Sequence, residues 1–137
     1  MSRILFVVPP IAGHILPTIA VGRELADRGH EVVWAGYANI EDHLIPSWSR
    51  LIPVADFVPD EVATGVAEAT TKGQTGLAAF RQVWEDYMGP VARQMLPGVE
   101  AAVDEFRPDV MVVDQQALAG AVVAHRRCIP WATSATT

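Results

Sequence analysis

The chain has 137 residues, of which 50% are hydrophobic and 19% charged, with a formal net charge of −6. That length fits one domain with a real core, and the acidic, mixed surface, with no basic cluster beyond Arg126 and Arg127, argues against nucleic acid or an anionic membrane as partner. The single cysteine, Cys128, excludes an internal disulfide. No apolar run reaches the ~18–20 residues of a membrane span, and Pro9, Pro10 and His14 interrupt the stretch a signal peptide would need, so the chain reads as soluble and cytoplasmic.

In chain order, a first strand is expected at residues 4–8, where the apolar run ILFVV does not alternate. A continuous run indicates cover on both faces, as in a parallel sheet between helices. A helix follows, with Pro17 suited to its first turn, Val21 and Leu25 on one face, and Gly29 as a left-handed stop. Residues 32–35 form the second strand. Asn39 is placed to cap a short helix over 40–45, ended by Pro46. Residues 51–54 read as a weaker strand, demoted by Pro53.

Residues 60–74 fit no period and read as a long, mobile loop. Thr75 is placed to cap the next helix, in which Leu77, Phe80, Trp84, Tyr87 and Val91 recur at helical spacing as a core face. Pro90 should kink or break it. Val99, Val103 and Phe106 mark a further helical face, residues 110–113 a strand, 117–127 a helix, and 129–132 a last strand with Pro130 near its start. The order predicts an α/β domain, doubly wound and Rossmann-like, with a parallel sheet. Right-handed crossovers then put the first turn and the turn after Asp114 at the same carboxyl edge, where ligands bind in such folds.

The first turn reads PPIAGHILP. It has neither G-x-G-x-x-G nor a P-loop, and no hydroxyl before Thr18, so it is not shaped for phosphate. Gly13 leaves room for close backbone approach. His14 is the first residue with chemistry to offer: an imidazole in an apolar turn accepts a proton near neutral pH when a carboxylate orients its other nitrogen. Asp114 ends the strand VMVVD at the same edge. The structural alternative is a histidine bonded to loop backbone, with Asp114 only capping the next helix.

The segments GHILP (13–17), ELADRGHEV (24–32) and RPDVMVVDQQA (107–117) occur in an order and spacing that resemble the N-terminal half of GT-B-fold glycosyltransferases. The resemblance is to the family of macrolide, enediyne, carotenoid and plant secondary-metabolite enzymes, and the closing WATSATT resembles actinobacterial natural-product members. It covers nearly the whole chain. It implies an inverting, nucleotide-sugar-dependent transfer to a hydroxylated, largely apolar acceptor. His14 is then the general base and Asp114 its partner, with Gly13, Ile15, Phe80, Trp84 and Gln115 at the acceptor. It implies no metal and no resident cofactor, since the UDP- or dTDP-linked sugar is a co-substrate.

In that family the donor sits mainly on a second domain with a glycine-rich H-x-G-x-G-[ST] segment, and this sequence has none. Residues 1–137 therefore read as a truncated acceptor-binding domain, inactive alone, whose partner is the missing C-terminal domain. A non-catalytic acceptor-recognition subunit or helper of the same fold is the second reading. Another doubly wound domain, such as a flavodoxin-like one, is the third, and the hydroxyl-poor first turn counts against it.

Among the remaining residues, His30 is expected to close a helix-to-strand turn, and His43 and His125 to lie on the surface. The four histidines have no zinc spacing. Cys128 is expected to be buried and inert. Trp48, in a polar setting, is a candidate exposed aromatic, while Gln115 and Gln116 either meet an acceptor or simply start the following helix.

Overall fold

The computed structural model describes residues 1–39, 44–56 and 76–135. Its strands are β1 (Arg3–Val7), β2 (Glu31–Tyr37), β3 (Leu51–Ala55), β4 (Val110–Asp114) and β5 (Trp131–Ser134). They form one parallel sheet in the order β3-β2-β1-β4-β5. The order reverses between β1 and β4, which opens a crevice beyond their carboxyl ends. The expected doubly wound α/β domain is the one observed. Pro53 is accommodated because β3 lies at an edge of the sheet, where a missing N–H costs little.

Helix α1 (Ala12–Asp27) starts earlier than expected, so Pro17 lies inside it and not in its first turn. Ile11, in extended conformation, takes the N-cap place after the two prolines, and its carbonyl accepts from His14 N (2.9 Å) and Ile15 N (3.2 Å). Pro17 removes only the donor to the Gly13 carbonyl one turn back. The helix ends as predicted at Gly29, whose φ is 86°. Gly29 N bonds Ala26 O and His30 N bonds Leu25 O, a Schellman closure. His30 Nδ1 accepts from Ser2 N at 3.1 Å and ties this turn to the chain start, the structural role expected of it.

Trp34 on β2 docks α1. Its ring is fully buried, stacks on Phe6 with centroids 5.0 Å apart, and donates from Nε1 to Thr18 Oγ1 at 2.9 Å. Gly22 faces that indole, and a Cβ there would collide with it.

The next helical run is α2 (Leu77–Val83), a π-helical segment (Trp84–Met88), and α3 (Gly89–Phe106). Pro90 does not end the run; it sits in the first turn of α3, where its N–H is dispensable. The expected single core face is also corrected. Tyr87 and Val91 are buried, but Leu77, Phe80 and Trp84 are 83%, 62% and 45% exposed. The π segment adds a residue to the turn and rotates what precedes it away from the sheet. α3 buries Val91, Met95, Val99, Val103 and Phe106, and its Gly98 lies directly on the Val54 backbone.

Helix α4 (Leu118–Arg126) leads to a second Schellman closure, with Cys128 N on His125 O and Ile129 N on Ala124 O. Cys128 holds the left-handed position at φ 53° and is exposed, not buried as expected, because that position turns its side chain outward. β5 consequently starts two residues later than predicted. The expected helix over 40–45 and the loop at 60–74, with Thr75 and His43, fall largely or wholly outside the described residues.

Candidate active site at the sheet switch point

His14 is the third residue of α1, just past β1, and Asp114 is the last residue of β4. Their parent strands are neighbours, with Val7 paired to Val113. The fold thereby brings together two side chains 100 residues apart: His14 Nδ1 lies 3.0 Å from both Oδ1 and Oδ2 of Asp114. Asp114 is fully buried and the His14 side chain is 13% exposed.

Backbone donors of the following turn also hold Asp114. Gln116 N donates to Asp114 Oδ1 at 2.9 Å, and Ala117 N to the Asp114 carbonyl at 2.9 Å. Gln115 N donates to Ser134 O on the neighbouring strand at 3.0 Å. An ionised carboxylate only accepts, so Nδ1 of the imidazole carries the hydrogen in this pair. In neutral His14 the lone pair is then on Nε2, the nitrogen turned away from Asp114. An imidazole so oriented is chemically able to accept a proton at Nε2.

The other residues singled out from sequence divide sharply. Gly13 is exposed in the first turn of α1, and a Cβ there would meet nothing within 4 Å, so packing does not demand glycine. Gln115 is half-buried beside Asp114. Ile15 does not reach the surface: it is completely enclosed in the core, because helical geometry turns it from the cleft towards the sheet. Phe80 and Trp84 stack with centroids 6.1 Å apart and, with Leu77 and Arg81, line an open apolar depression of about 440 Å³. Trp48, partly exposed, lies edge-on to Trp34 and under the Arg23 guanidinium. With Leu16, Ile19, Leu44 and Pro46 it lines a second depression, of about 560 Å³. Neither depression includes His14 or Asp114.

Tyr37 carries no signal in the sequence, and Tyr87 figures there only as one residue of a core face. Tyr37, fully buried at the carboxyl end of β2, donates to Gln94 Oε1 at 2.8 Å, and burial pushes its pKa up to about 12. Tyr87 is also raised, first by burial and then by the fields of Tyr37 and Asp114. Both look like ordinary core aromatics in sequence. Among the described residues, no group of three or more His, Cys, Asp or Glu side chains is placed to hold a metal ion, and no helix is long and apolar enough to cross a membrane.

No family model matches the chain. It is 33% identical over 139 residues to the demethyllactenocin mycarosyltransferase of Streptomyces fradiae, covering 95% of this chain and 28% of that protein. It is 31% identical over 141 residues to the 4'-demethylrebeccamycin synthase of Lentzea aerocolonigenes, covering 98% of this chain and 32% of that one. The structure of SsfS6, a Streptomyces sp. SF2575 glycosyltransferase, superposes with a TM-score of 0.78 at 18% identity, over 97% of this chain and 39% of SsfS6. The chain has the GT-B fold, and its sequence is similar to one part of longer glycosyltransferases. Other sequence relatives, 30% identical over 112 residues, are Shewanella transferases that add N-acetylglucosamine from its UDP derivative to N-acetylmuramyl-(pentapeptide) pyrophosphoryl-undecaprenol; the chain spans about a third or less of each of these relatives. The GT-B fold expected from the three sequence segments is the fold found. SsfS6 is also known complexed with thymidine diphosphate.

Proposed function

We propose that residues 1–137 form the acceptor-binding half of an inverting, nucleotide-sugar-dependent glycosyltransferase that acts on a hydroxylated, largely apolar natural product. The observation that carries this reading is the His14–Asp114 pair at the carboxyl edge, with Nδ1 held by a buried carboxylate and Nε2 left as the basic nitrogen. In the reaction, Nε2 takes the acceptor hydroxyl proton as that oxygen attacks the anomeric carbon. The nucleoside diphosphate leaves from the opposite face with the bonding pair, and Asp114 stabilises the imidazolium. Gly13 and Gln115 flank the acceptor oxygen, and Phe80 and Trp84 supply an apolar wall. The donor, a UDP- or dTDP-linked sugar, is held mainly by a second, glycine-rich domain of the kind implied by the family resemblance. The chain by itself transfers no sugar.

The first turn supports this division of labour. Pro9 and Pro10 withhold two N–H groups from the turn before α1, and a diphosphate needs several converging donors. An apolar acceptor needs shape and one or two polar contacts. Calorimetry on the 137-residue chain tests the assignment against UDP-glucose, dTDP-glucose and a panel of polycyclic and macrolactone aglycones. Binding confined to aglycones is expected. Micromolar binding of either nucleotide-sugar would mean that the two halves have been exchanged.

A further inference from the structure

Tyr87 sits in the π-helical segment between the exposed aromatic pair and α3. It is 5% exposed, and its hydroxyl has no hydrogen-bond partner among the described residues. Gln82 Oε1, five residues earlier, is likewise buried without one. A buried phenol that bonds nothing is costly and calls for an explanation. The contrast with Tyr37 is direct, since that equally buried hydroxyl is satisfied by Gln94.

The local backbone makes the case stronger. Continued α-helical register from Leu77, Phe80 and Trp84 would leave Tyr87 on their shared face. The π segment instead turns Tyr87 inward while its predecessors stay exposed. Segments of this kind recur at functional sites, where an extra residue re-aims a side chain. Here the side chain that gains is Tyr87, which lies within electrostatic reach of both Asp114 and Tyr37.

We infer that Tyr87 is a specificity residue whose hydroxyl donates a hydrogen bond to a second oxygen of the acceptor, a carbonyl or ether near the hydroxyl that His14 deprotonates. The inference rests on the acceptor-binding reading above and narrows the substrate class to apolar molecules oxygenated at two places. In the proposed pose the acceptor lies against Phe80 and Trp84 with its hydroxyl at His14, and its second oxygen supplies the partner that the Tyr87 O–H lacks.

The test is calorimetry with a matched pair of probes, 2-hydroxyanthraquinone and 2-hydroxyanthracene, on the wild-type chain and on Tyr87→Phe. Thermal unfolding of both proteins is measured alongside. The variant should lose about tenfold in affinity for the quinone, one hydrogen bond's worth, with no change for the hydrocarbon phenol. Its Tm should be no lower than wild type, because an unpaired buried hydroxyl has been removed. Unchanged quinone affinity, equal losses for both probes, or a Tm several degrees lower would overturn the assignment, the last by revealing a partner within the protein. Failure of the wild-type chain to bind either probe would overturn the acceptor reading and this inference with it, whereas wild-type binding that Tyr87→Phe leaves intact removes the inference alone.

Discussion

His14 Nδ1 is equidistant, at 3.0 Å, from the two carboxylate oxygens of Asp114, and the carboxylate is entirely buried. A carboxylate facing Nδ1 favours the tautomer that carries its hydrogen there. Asp114→Asn keeps the shape but offers an amide N–H as readily as a carbonyl, so the imidazole loses both its orientation and the charge that stabilises its protonated form. In an enzyme complete with its donor half, kcat should fall on the order of 10²–10⁴-fold. Steady-state kinetics at saturating donor measures this, and a variant within threefold of wild type would show that Asp114 only caps the next helix.

Cys128 is the one non-glycine residue in the chain to occupy the left-handed position of a Schellman closure among the described residues; Gly29 holds the matching place after α1. A side chain at positive φ costs roughly 1–2 kcal/mol. The extra unfolded-state freedom of glycine costs roughly 0.4–1 kcal/mol. The conformational gain is the larger, so Cys128→Gly should stabilise the chain by about 0.5–1 kcal/mol. Urea unfolding in the presence of a reductant would detect it as a higher midpoint at unchanged slope.

At Gly98 the same kind of comparison runs the other way. Alanine favours a helix interior over glycine by about 1 kcal/mol, but a methyl group here would overlap the Val54 backbone. Overpacking costs typically about 1–3 kcal/mol and occasionally more, and a backbone atom cannot swing aside as a side chain does. Gly98→Ala should therefore destabilise, separating α3 from β3. A higher denaturation midpoint for this variant would mean that the helix and strand are less tightly apposed.

The chain's 2 tyrosines are both held above the usual phenol range, Tyr37 at about 12 against 10.0 in solution. Burial favours the neutral form, so the folded state retains protons that the unfolded state releases. Their contribution to stability is complete below pH 10, declines above it, and is lost as pH rises through the folded value. Tyrosinate absorbance should thus appear together with loss of the near-UV circular dichroism. A smooth titration centred at 10 in a protein that stays folded would contradict this placement of the phenols.

The parts legible in sequence share a physical cause. Continuous apolar strands such as ILFVV announce burial on both faces, and their alternation with helices dictates a parallel sheet. His14 and Asp114 could be assigned to one edge of the sheet because one follows a strand and the other ends one, while their chemical role rested on the family resemblance. What escaped depended on rotation and not on pattern. Ile15 follows His14, yet the helix turns it into the core. Phe80 and Trp84 carry a core-like spacing, but the π segment has no apolar signature and leaves them exposed. Pro17 was read as a helix start because a proline is easier to place there than inside a helix whose cap is an isoleucine. Cys128 resembled a buried thiol until the hydrogen bonds around it marked a helix end.

The central claim is that His14 takes the proton from the acceptor hydroxyl. It is tested most directly by kcat for His14→Ala in the enzyme complete with its nucleotide-sugar-binding half, with circular dichroism to verify the fold. The account predicts a native spectrum and a kcat lower by roughly 10²–10⁴-fold, the contribution of a positioned base. A folded variant that keeps near-wild-type kcat would show that the imidazole is not the base.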